Sequence, residues 1–279
     1  VNLALSNSLF NLLLSQSTKY YDKLLTGGTI TADVTSSSLV LSTTATSGSQ
    51  ATRTSHQYYP YMPGEGNEII LSLRLGDSGK EGVVRRWGLF DDEDGMFFEL
   101  NGTQRSVVIR NSSSGGITEE RVVPEDYNGK SLVVENVSPF LLDITKYNLF
   151  WIDYQWLGAG RVRMGVIAPD GTRIVVHTFN NANENTTPYM KRGTLPFRIE
   201  QYNTTNTISP SELRLLCAAI IRQTQNVNFP GDYYSVHSLL IPLSGRTVDT
   251  PIISARPNLT HNGEINRSTL IPVDFEVYV

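Results

Sequence analysis

The sequence predicts an all-β fold, an antiparallel β-sandwich of jelly-roll type with an N-terminal arm and a C-terminal extension. Short apolar runs with period-two alternation recur between Gly, Asn, Asp and Pro turn signals. These runs are rich in Val, Ile, Thr and Tyr, the residues that strands prefer. No helical stretch alternates with them, which argues against α/β folds. About ten to fourteen short strands are expected, as is typical of sandwiches and jelly rolls.

Residues 1–28 are predicted to form the arm, which ends at a Gly-Gly break. Its leucines recur at near-helical spacing, so a helix is one form that the arm could take. An apolar arm with weak intrinsic structure needs a surface, either the body of the same chain or a neighbouring subunit. The leucines proposed as interface residues are Leu5, Leu9, Leu12 and Leu13.

Residues 29–221 are predicted to form the sandwich body. Asp94-Gly95 and Asn101-Gly102 lie between apolar runs and predict hairpin turns within a meander of four strands. Residues 149–156 are apolar on both faces, which predicts a strand in the middle of a sandwich. Residues 222–279 are assigned to C-terminal strands and an extension that pack on the body or on a neighbour.

Composition excludes several function classes. The 279 residues carry a net charge of -4, whereas a domain that binds phosphate backbones is expected to be basic. The single cysteine, Cys217, rules out an intrachain disulfide framework and a multi-thiolate metal site. No run approaches the roughly 20 apolar residues of a membrane-spanning helix. The sequence therefore predicts no cofactor, no metal, and neither nucleic acid nor a membrane as partner.

Motifs for catalysis are missing as well. There is no Gly-x-Ser-x-Gly elbow, no phosphate-binding glycine loop, and no histidine pair at metal-ligand spacing. Glu99, Asp153 and Glu200 lie in predicted strands, and a glycosidase needs two carboxylates about 5–10 Å apart. Because they form no tight acidic motif, outward-facing charge on a wet sheet face is the favoured interpretation. We therefore expect a protein that is not an enzyme and has no catalytic residue.

The densest acidic cluster is residues 91–95, Asp-Asp-Glu-Asp-Gly. Several carboxylates close together could bind calcium, which prefers oxygen ligands. The match to an EF-hand loop is poor, because Phe90 stands where the first aspartate should be. Asp-Gly suits a tight hairpin, so a solvated hairpin tip is the favoured interpretation.

Two aromatic features indicate contact surfaces. Tyr58, Tyr59 and Tyr61 fall within seven residues, and rings with a polar tip suit protein interfaces and sugar stacking. The alternative is that these rings cap one end of the sandwich. Trp151 shares a strand face with Asp153, so it is either an exposed contact residue or part of a covered sheet.

Residues 56 to about 221, about 60% of the chain, resemble a family of virion structural proteins of tailed, mainly marine, phages and some large DNA viruses. The segments that carry the resemblance are QYYPYMPG at 57–64, RWGLFD at 86–91, GMFFEL at 95–100, LDITKYNLFWIDYQWLG at 142–158, GRVR at 160–163 and HTFNNAN at 177–183. Members look like minor capsid, head-fibre or tail-associated components without an assigned activity. The arm and the tail fall outside the resemblance, so it leaves open the position in the virion.

The resemblance and the composition together predict a non-enzymatic virion structural protein that works by assembly. Its expected partners are copies of itself, a trimer being one form, and other virion proteins. The alternative is a glycan-binding adhesin on a β-sandwich, which would add a surface glycan as partner. A sandwich-fold glycosidase is the third hypothesis.

Overall fold

The computed structural model describes residues 19–130, 141–222, 260–261 and 264–265. The chain divides into two compact units, Val1–Gln225 and Asn226–Val279. In the second unit the described strands form one short antiparallel pair, Thr260–His261 with Glu264–Ile265. Among the described residues, no helix has the length and apolar character needed to cross a membrane.

The first unit is built from fourteen described strands in two seven-stranded sheets. The strands are β1 (Tyr20–Leu25), β2 (Thr29–Asp33), β3 (Ser38–Thr43), β4 (Gln50–Tyr59), β5 (Asn67–Arg74), β6 (Val83–Phe90), β7 (Gly95–Asn101), β8 (Gln104–Asn111), β9 (Thr118–Val122), β10 (Asn148–Tyr154), β11 (Val162–Ile167), β12 (Arg173–Phe179), β13 (Leu195–Asn203) and β14 (Ser211–Arg222). The front sheet has the order β1-β4-β13-β6-β7-β8-β9, and the back sheet has the order β12-β11-β10-β5-β14-β3-β2.

Every strand pair in these sheets is antiparallel. The predicted β-sandwich of jelly-roll type is therefore confirmed. The predicted meander is also present, because β6, β7, β8 and β9 are neighbours in the front sheet. The strand predicted to be central, β10, pairs with β11 on one side and β5 on the other.

The two sheets meet across a core of aromatic and branched side chains. Trp87 and Phe98 of the front sheet stack with ring centroids 5.9 Å apart, and each lies 5.1 Å from Phe150 of the back sheet. Aromatic pairs of this kind contribute about 0.5–1.5 kcal/mol beyond the area that they bury. Alternation along each strand places these rings inward, which explains the period-two pattern in the sequence.

The predicted boundary of the arm needs a correction. Tyr20–Leu25, placed in the arm by the sequence analysis, instead form β1 at the edge of the front sheet. Tyr20 packs edge-on against Phe197, and Asp22 forms an ion pair of 2.6 Å with Arg53. Backbone pairing and these two contacts anchor a segment with no strand pattern of its own. Leu5, Leu9, Leu12 and Leu13 lie outside the described residues.

Candidate functional site

The β8–β9 hairpin forms one wall of a polar cleft. Ile109 pairs with Glu120, and Asn111 pairs with Thr118. Because residues two apart on a strand share a face, and paired residues point the same way, these four side chains lie on one side of the hairpin. Glu119 and Arg121 point to the opposite side.

The connection between β12 and β13 forms the second wall. Asn185, Thr187, Pro188 and Tyr189 face the hairpin across a cavity of about 110 Å³. One water molecule requires about 10–15 Å³ of such space, so the cleft has room for several water-sized groups, on the order of one sugar ring.

Asp94, in the turn between β6 and β7, joins the two walls. Its Oδ1 accepts hydrogen bonds from the backbone N–H of Ser112 at 3.1 Å and of Lys191 at 2.9 Å. The Ser112 hydroxyl donates to Oδ2 at 3.1 Å. Ser112 follows β8, and Lys191 follows the second wall. One fully buried carboxylate therefore sets the spacing between them.

The other acidic side chains of residues 91–95 are also engaged internally. Asp91 Oδ1 accepts the backbone N–H of Glu93 and Asp94, each at 2.9 Å. Asp92 pairs with Arg198 at 2.6 Å and Glu93 with Arg192 at 2.7 Å. The predicted solvated hairpin tip needs a correction, because Asp91 and Asp94 are buried and Asp94 links distant segments, whereas Asp92 is exposed as expected. Within the described part of the chain, no group of three or more side chains is arranged to hold a metal.

The second wall is anchored to the loop between β10 and β11. Trp156 Nε1 donates to the carbonyl of Met190 at 3.1 Å, and Tyr189 N–H donates to the carbonyl of Gly158 at 3.0 Å. A Cβ on Gly193 would lie 2.8 Å from Trp156 Cγ, so a glycine is required for the ring to pack there. These contacts with the β10–β11 loop hold the second wall in place on its side away from the cavity.

Two contacts bridge the walls at the rim. Asn111 Nδ2 donates to the carbonyl of Pro188 at 3.1 Å, and the Ser113 hydroxyl donates to the same oxygen at 2.7 Å. Burial raises the pKa of the Tyr189 hydroxyl well above its usual range, so this wall residue is neutral. Ordered contacts thus hold the two walls together at the rim, while Thr118, Glu120 and residues 185–188 stay exposed.

Glu120 is the charged side chain among the described residues that line the cleft. Burial raises the pKa of its carboxyl group, and no ion pair or hydrogen bond engages that group within the described residues. Amide and hydroxyl groups around it both donate and accept hydrogen bonds. The sequence analysis missed this site because its residues belong to no motif. The one local signal was the polar run at 185–188.

The strand carboxylates are arranged differently from expectation. Glu99 and Glu200 lie on the outer face of the front sheet with Arg86 between them, at 2.7 and 3.3 Å. Arg121 also pairs with Glu99 at 2.7 Å. Asp153, on the back sheet, pairs with Arg163. All three carboxylates face away from the inter-sheet core, as expected, but the face is not wet, since all three are buried.

The aromatic predictions have mixed outcomes. Tyr59 is 4% exposed and Trp151 is 2% exposed, which corrects the expectation that they lie on a contact surface. Trp151 Nε1 donates to the carbonyl of Val166, and the ring lies over Gly165 of the next strand. Tyr61 is half-buried and packs on Tyr154, which fits a cap at one end of the sandwich. Tyr58 is half-exposed, and its contact role stays a prediction.

No family model and no curated protein matches the chain. Solved structures with a similar fold include the metal-free carbohydrate recognition domain of Emp46p, with a TM-score of 0.42 and 13% identity over 76% of this chain and 94% of that one. A β-glucanase of Bacillus licheniformis has a TM-score of 0.46 and 12% identity over 75% and 94%. A glycoside hydrolase family protein of Mycobacterium thermorestibile has a TM-score of 0.48 and 10% identity over 74% and 94%.

Proposed function

We propose that this chain is a non-enzymatic, glycan-binding β-sandwich domain and that the cleft between β8–β9 and residues 185–189 is its site. The observation that supports this proposal is the lining, which combines two asparagines, two threonines and one carboxylate around a small cavity. Sugar hydroxyls both donate and accept hydrogen bonds, and these amides, hydroxyls and the carboxylate together offer donors and acceptors. Pro188, which is exposed, supplies apolar surface for the C–H groups of a ring.

Binding rather than hydrolysis is supported by the carboxylates. Glycosidases canonically use two carboxyl groups about 5–10 Å apart, flanking the bond that breaks. Among the described lining residues the cleft has one, Glu120. Glu99 and Glu200 share Arg86, and two carboxylates in ion pairs are poor proton donors because the pairing favours their charged forms.

A glycan array of neutral, amino and acidic oligosaccharides, followed by titration calorimetry, tests the proposal. Asn185→Ala and Thr187→Val should each weaken binding about twofold to tenfold, the value of one hydrogen bond. Thr31→Val changes an exposed threonine on β2, at the far edge of the back sheet, and should leave affinity unchanged. An array without binders, or equal loss from all three variants, would overturn the proposal.

Assembly as a virion structural protein is the second candidate. The observation in its favour is β1, which exposes Tyr21, Leu24 and Leu25 by 40 to 46% and pairs with one described neighbour, β4. Exposed apolar edge strands are templates for pairing with another chain. Light scattering of the full chain and of a Leu24→Lys/Leu25→Lys variant is the test. A multimer that becomes a monomer supports this candidate, and a monomer in both cases refutes it.

A further inference from the structure

We infer that the cleft selects sugars that carry a protonated amino group, and that it discriminates against uronic and other acidic sugars. This inference rests on the proposed function and names its ligand class. It follows from the distribution of charge around the cleft, where one carboxylate is available to a ligand and the neighbouring cations are not.

The charges on the two sides of the β8–β9 hairpin differ. On the outer side, Arg110 pairs with Glu119 at 2.7 Å, and Arg121 pairs with Glu99 and Glu119. On the cleft side, β8 contributes Ile109 and Asn111, and β9 contributes Thr118 and Glu120. Arg110 and Arg121 therefore lie on the outer side and Glu120 on the cleft side. Arg105 shares the cleft-side face of β8 but lies at the far end of the strand and does not line the cleft.

The second wall contributes no charge to the described lining, which there consists of Asn185, Thr187, Pro188 and Tyr189. Tyr189 stays neutral because burial raises its pKa. Lys191 and Arg192 belong to the same connection but do not line the cavity, and Arg192 is paired with Glu93. A ligand in the cleft consequently meets Glu120 as its charged contact.

An ammonium group suits this environment better than a carboxylate does. Glu120 is an exposed residue, but partial burial of its carboxyl group raises the pKa, and no ion pair within the described residues offsets that effect. An ammonium would form that ion pair, and charge-assisted hydrogen bonds are about twice as strong as neutral ones. A carboxylate ligand would instead place a second negative charge beside Glu120, which is unfavourable.

The remaining donors of an ammonium group also find acceptors. A primary ammonium has three N–H donors, and the Glu120 carboxylate can accept from one or two of them. Asn185 donates its Nδ2 to Asn181 Oδ1 at 3.1 Å, which leaves its own carbonyl oxygen to accept. The Thr187 hydroxyl is exposed beside it. The cleft thus offers a set of acceptors around one negative charge.

Calorimetric titration of the full chain with three β-1,4-linked oligosaccharides of equal length tests the inference. The ligands are oligomers of glucosamine, glucose and glucuronic acid, at about pH 5.5, below the pKa of a sugar amine and above that of a carboxylic acid. We expect the amino sugar to bind about twofold to fivefold more tightly than the neutral one, the value of an exposed ion pair, and the acid to bind most weakly. Equal affinity for the amino and neutral sugars would overturn the inference while leaving the proposed function intact.

Two matched variants assign the preference to one carboxylate. Glu120→Gln should abolish the preference for the amino sugar and should improve binding of the acid. Glu184→Gln is the control. Glu184 is exposed, lies in the connection between β12 and β13 and does not line the cavity, so this variant should keep the preference for the amino sugar. A preference that survives Glu120→Gln refutes the inference. Absence of binding by all three sugars and across the glycan array refutes the proposed function as well.

Discussion

Asp94 holds the backbone N–H groups of Ser112 and Lys191 on one carboxylate oxygen, at 3.1 and 2.9 Å. These two donors lie 79 residues apart in sequence and on opposite walls of the cleft. The carboxylate belongs to neither wall, since it comes from the turn between β6 and β7. The width of the cleft is therefore set by a third segment, which the ligand does not need to touch.

Removing this carboxylate should loosen the cleft and destabilise the fold. Asp94→Ala takes the acceptor away from three donors, and hydrogen bonds to charged groups contribute about 1.5–3 kcal/mol each before relaxation. We expect a loss of about 2–4 kcal/mol in the free energy of unfolding, measured by urea denaturation. Asp170→Ala is the control. Asp170 also accepts a turn N–H, from Thr172 at 2.9 Å, but is exposed, so a loss under about 1 kcal/mol is expected. Equal losses would refute the junction role of Asp94.

Gly193 should tolerate no larger residue. In Gly193→Ala the new methyl would meet the Trp156 ring at 2.8 Å, and overpacking of this kind costs about 1–3 kcal/mol. Thermal unfolding followed by circular dichroism measures the effect. Gly116→Ala introduces the same methyl where no atom lies within 4 Å and should leave the melting temperature nearly unchanged. A Gly193→Ala protein as stable as the wild type would mean that the second wall can move away from Trp156.

The ion pair between Asp77 and Arg85 should make stability depend on acid pH. Burial alone would raise the pKa of Asp77, but two hydrogen bonds from Arg85, at 2.7 and 2.8 Å, outweigh it and lower the pKa below 3.8. A lowered pKa means that the folded state binds its proton less tightly than the unfolded state, so the stabilisation is complete above pH 3.8 and is lost as pH falls through the folded-state pKa.

Asp77→Asn should therefore flatten the decline in stability between neutral and acid pH. The measurement is the free energy of unfolding in urea at a series of pH values down to about 2. Asp126→Asn, at an exposed position, should leave the wild-type profile unchanged. If Asp77→Asn declined as steeply as the wild type, the acid dependence would belong to other carboxylates.

Arg86 should be essential to the outer face of the front sheet. Arg86→Met removes the arginine that pairs with Glu200 and one of the two arginines that pair with Glu99. Breaking a buried ion pair by removing one partner costs about 3–5 kcal/mol in the free energy of unfolding. Lys146→Met removes a highly exposed pair with Asp143 and should cost under about 1 kcal/mol. Denaturant titration of both variants tests this contrast. Similar small losses would show that the face is hydrated enough to tolerate an unpaired carboxylate.

The hairpin turns and the buried faces of the strands could be predicted because both depend on residues close together in the sequence. Asp94-Gly95 and Asn101-Gly102 determine two turns within a few residues, and alternation of side chains determines which face is buried. The edge strand β1 could not be predicted in the same way. It lacks alternation, and its conformation comes from pairing with β4.

The cleft could not be predicted because its contacts are not local. In the sequence Asp94 is one of four acidic residues at a hairpin tip. Nothing local links it to its hydrogen-bond partners at 112 and 191, which are distant along the chain. The sequence left Trp151 either exposed or covered, and the structure covers it, because Gly165 on the next strand has no side chain to occupy the space of the ring. In both cases the role of the side chain is decided by which loops or strands the fold brings together.

The position of Trp156 gives the protein an optical reporter of its own cleft. Of the three tryptophans, Trp87 and Trp151 are almost completely buried, whereas Trp156 is half-exposed and is hydrogen-bonded to the second wall. A soluble quencher such as acrylamide should therefore reach Trp156 first. A ligand that reduces the motion of the second wall would change how far acrylamide quenches Trp156. Occupancy of the cleft can therefore be followed by intrinsic fluorescence without a label.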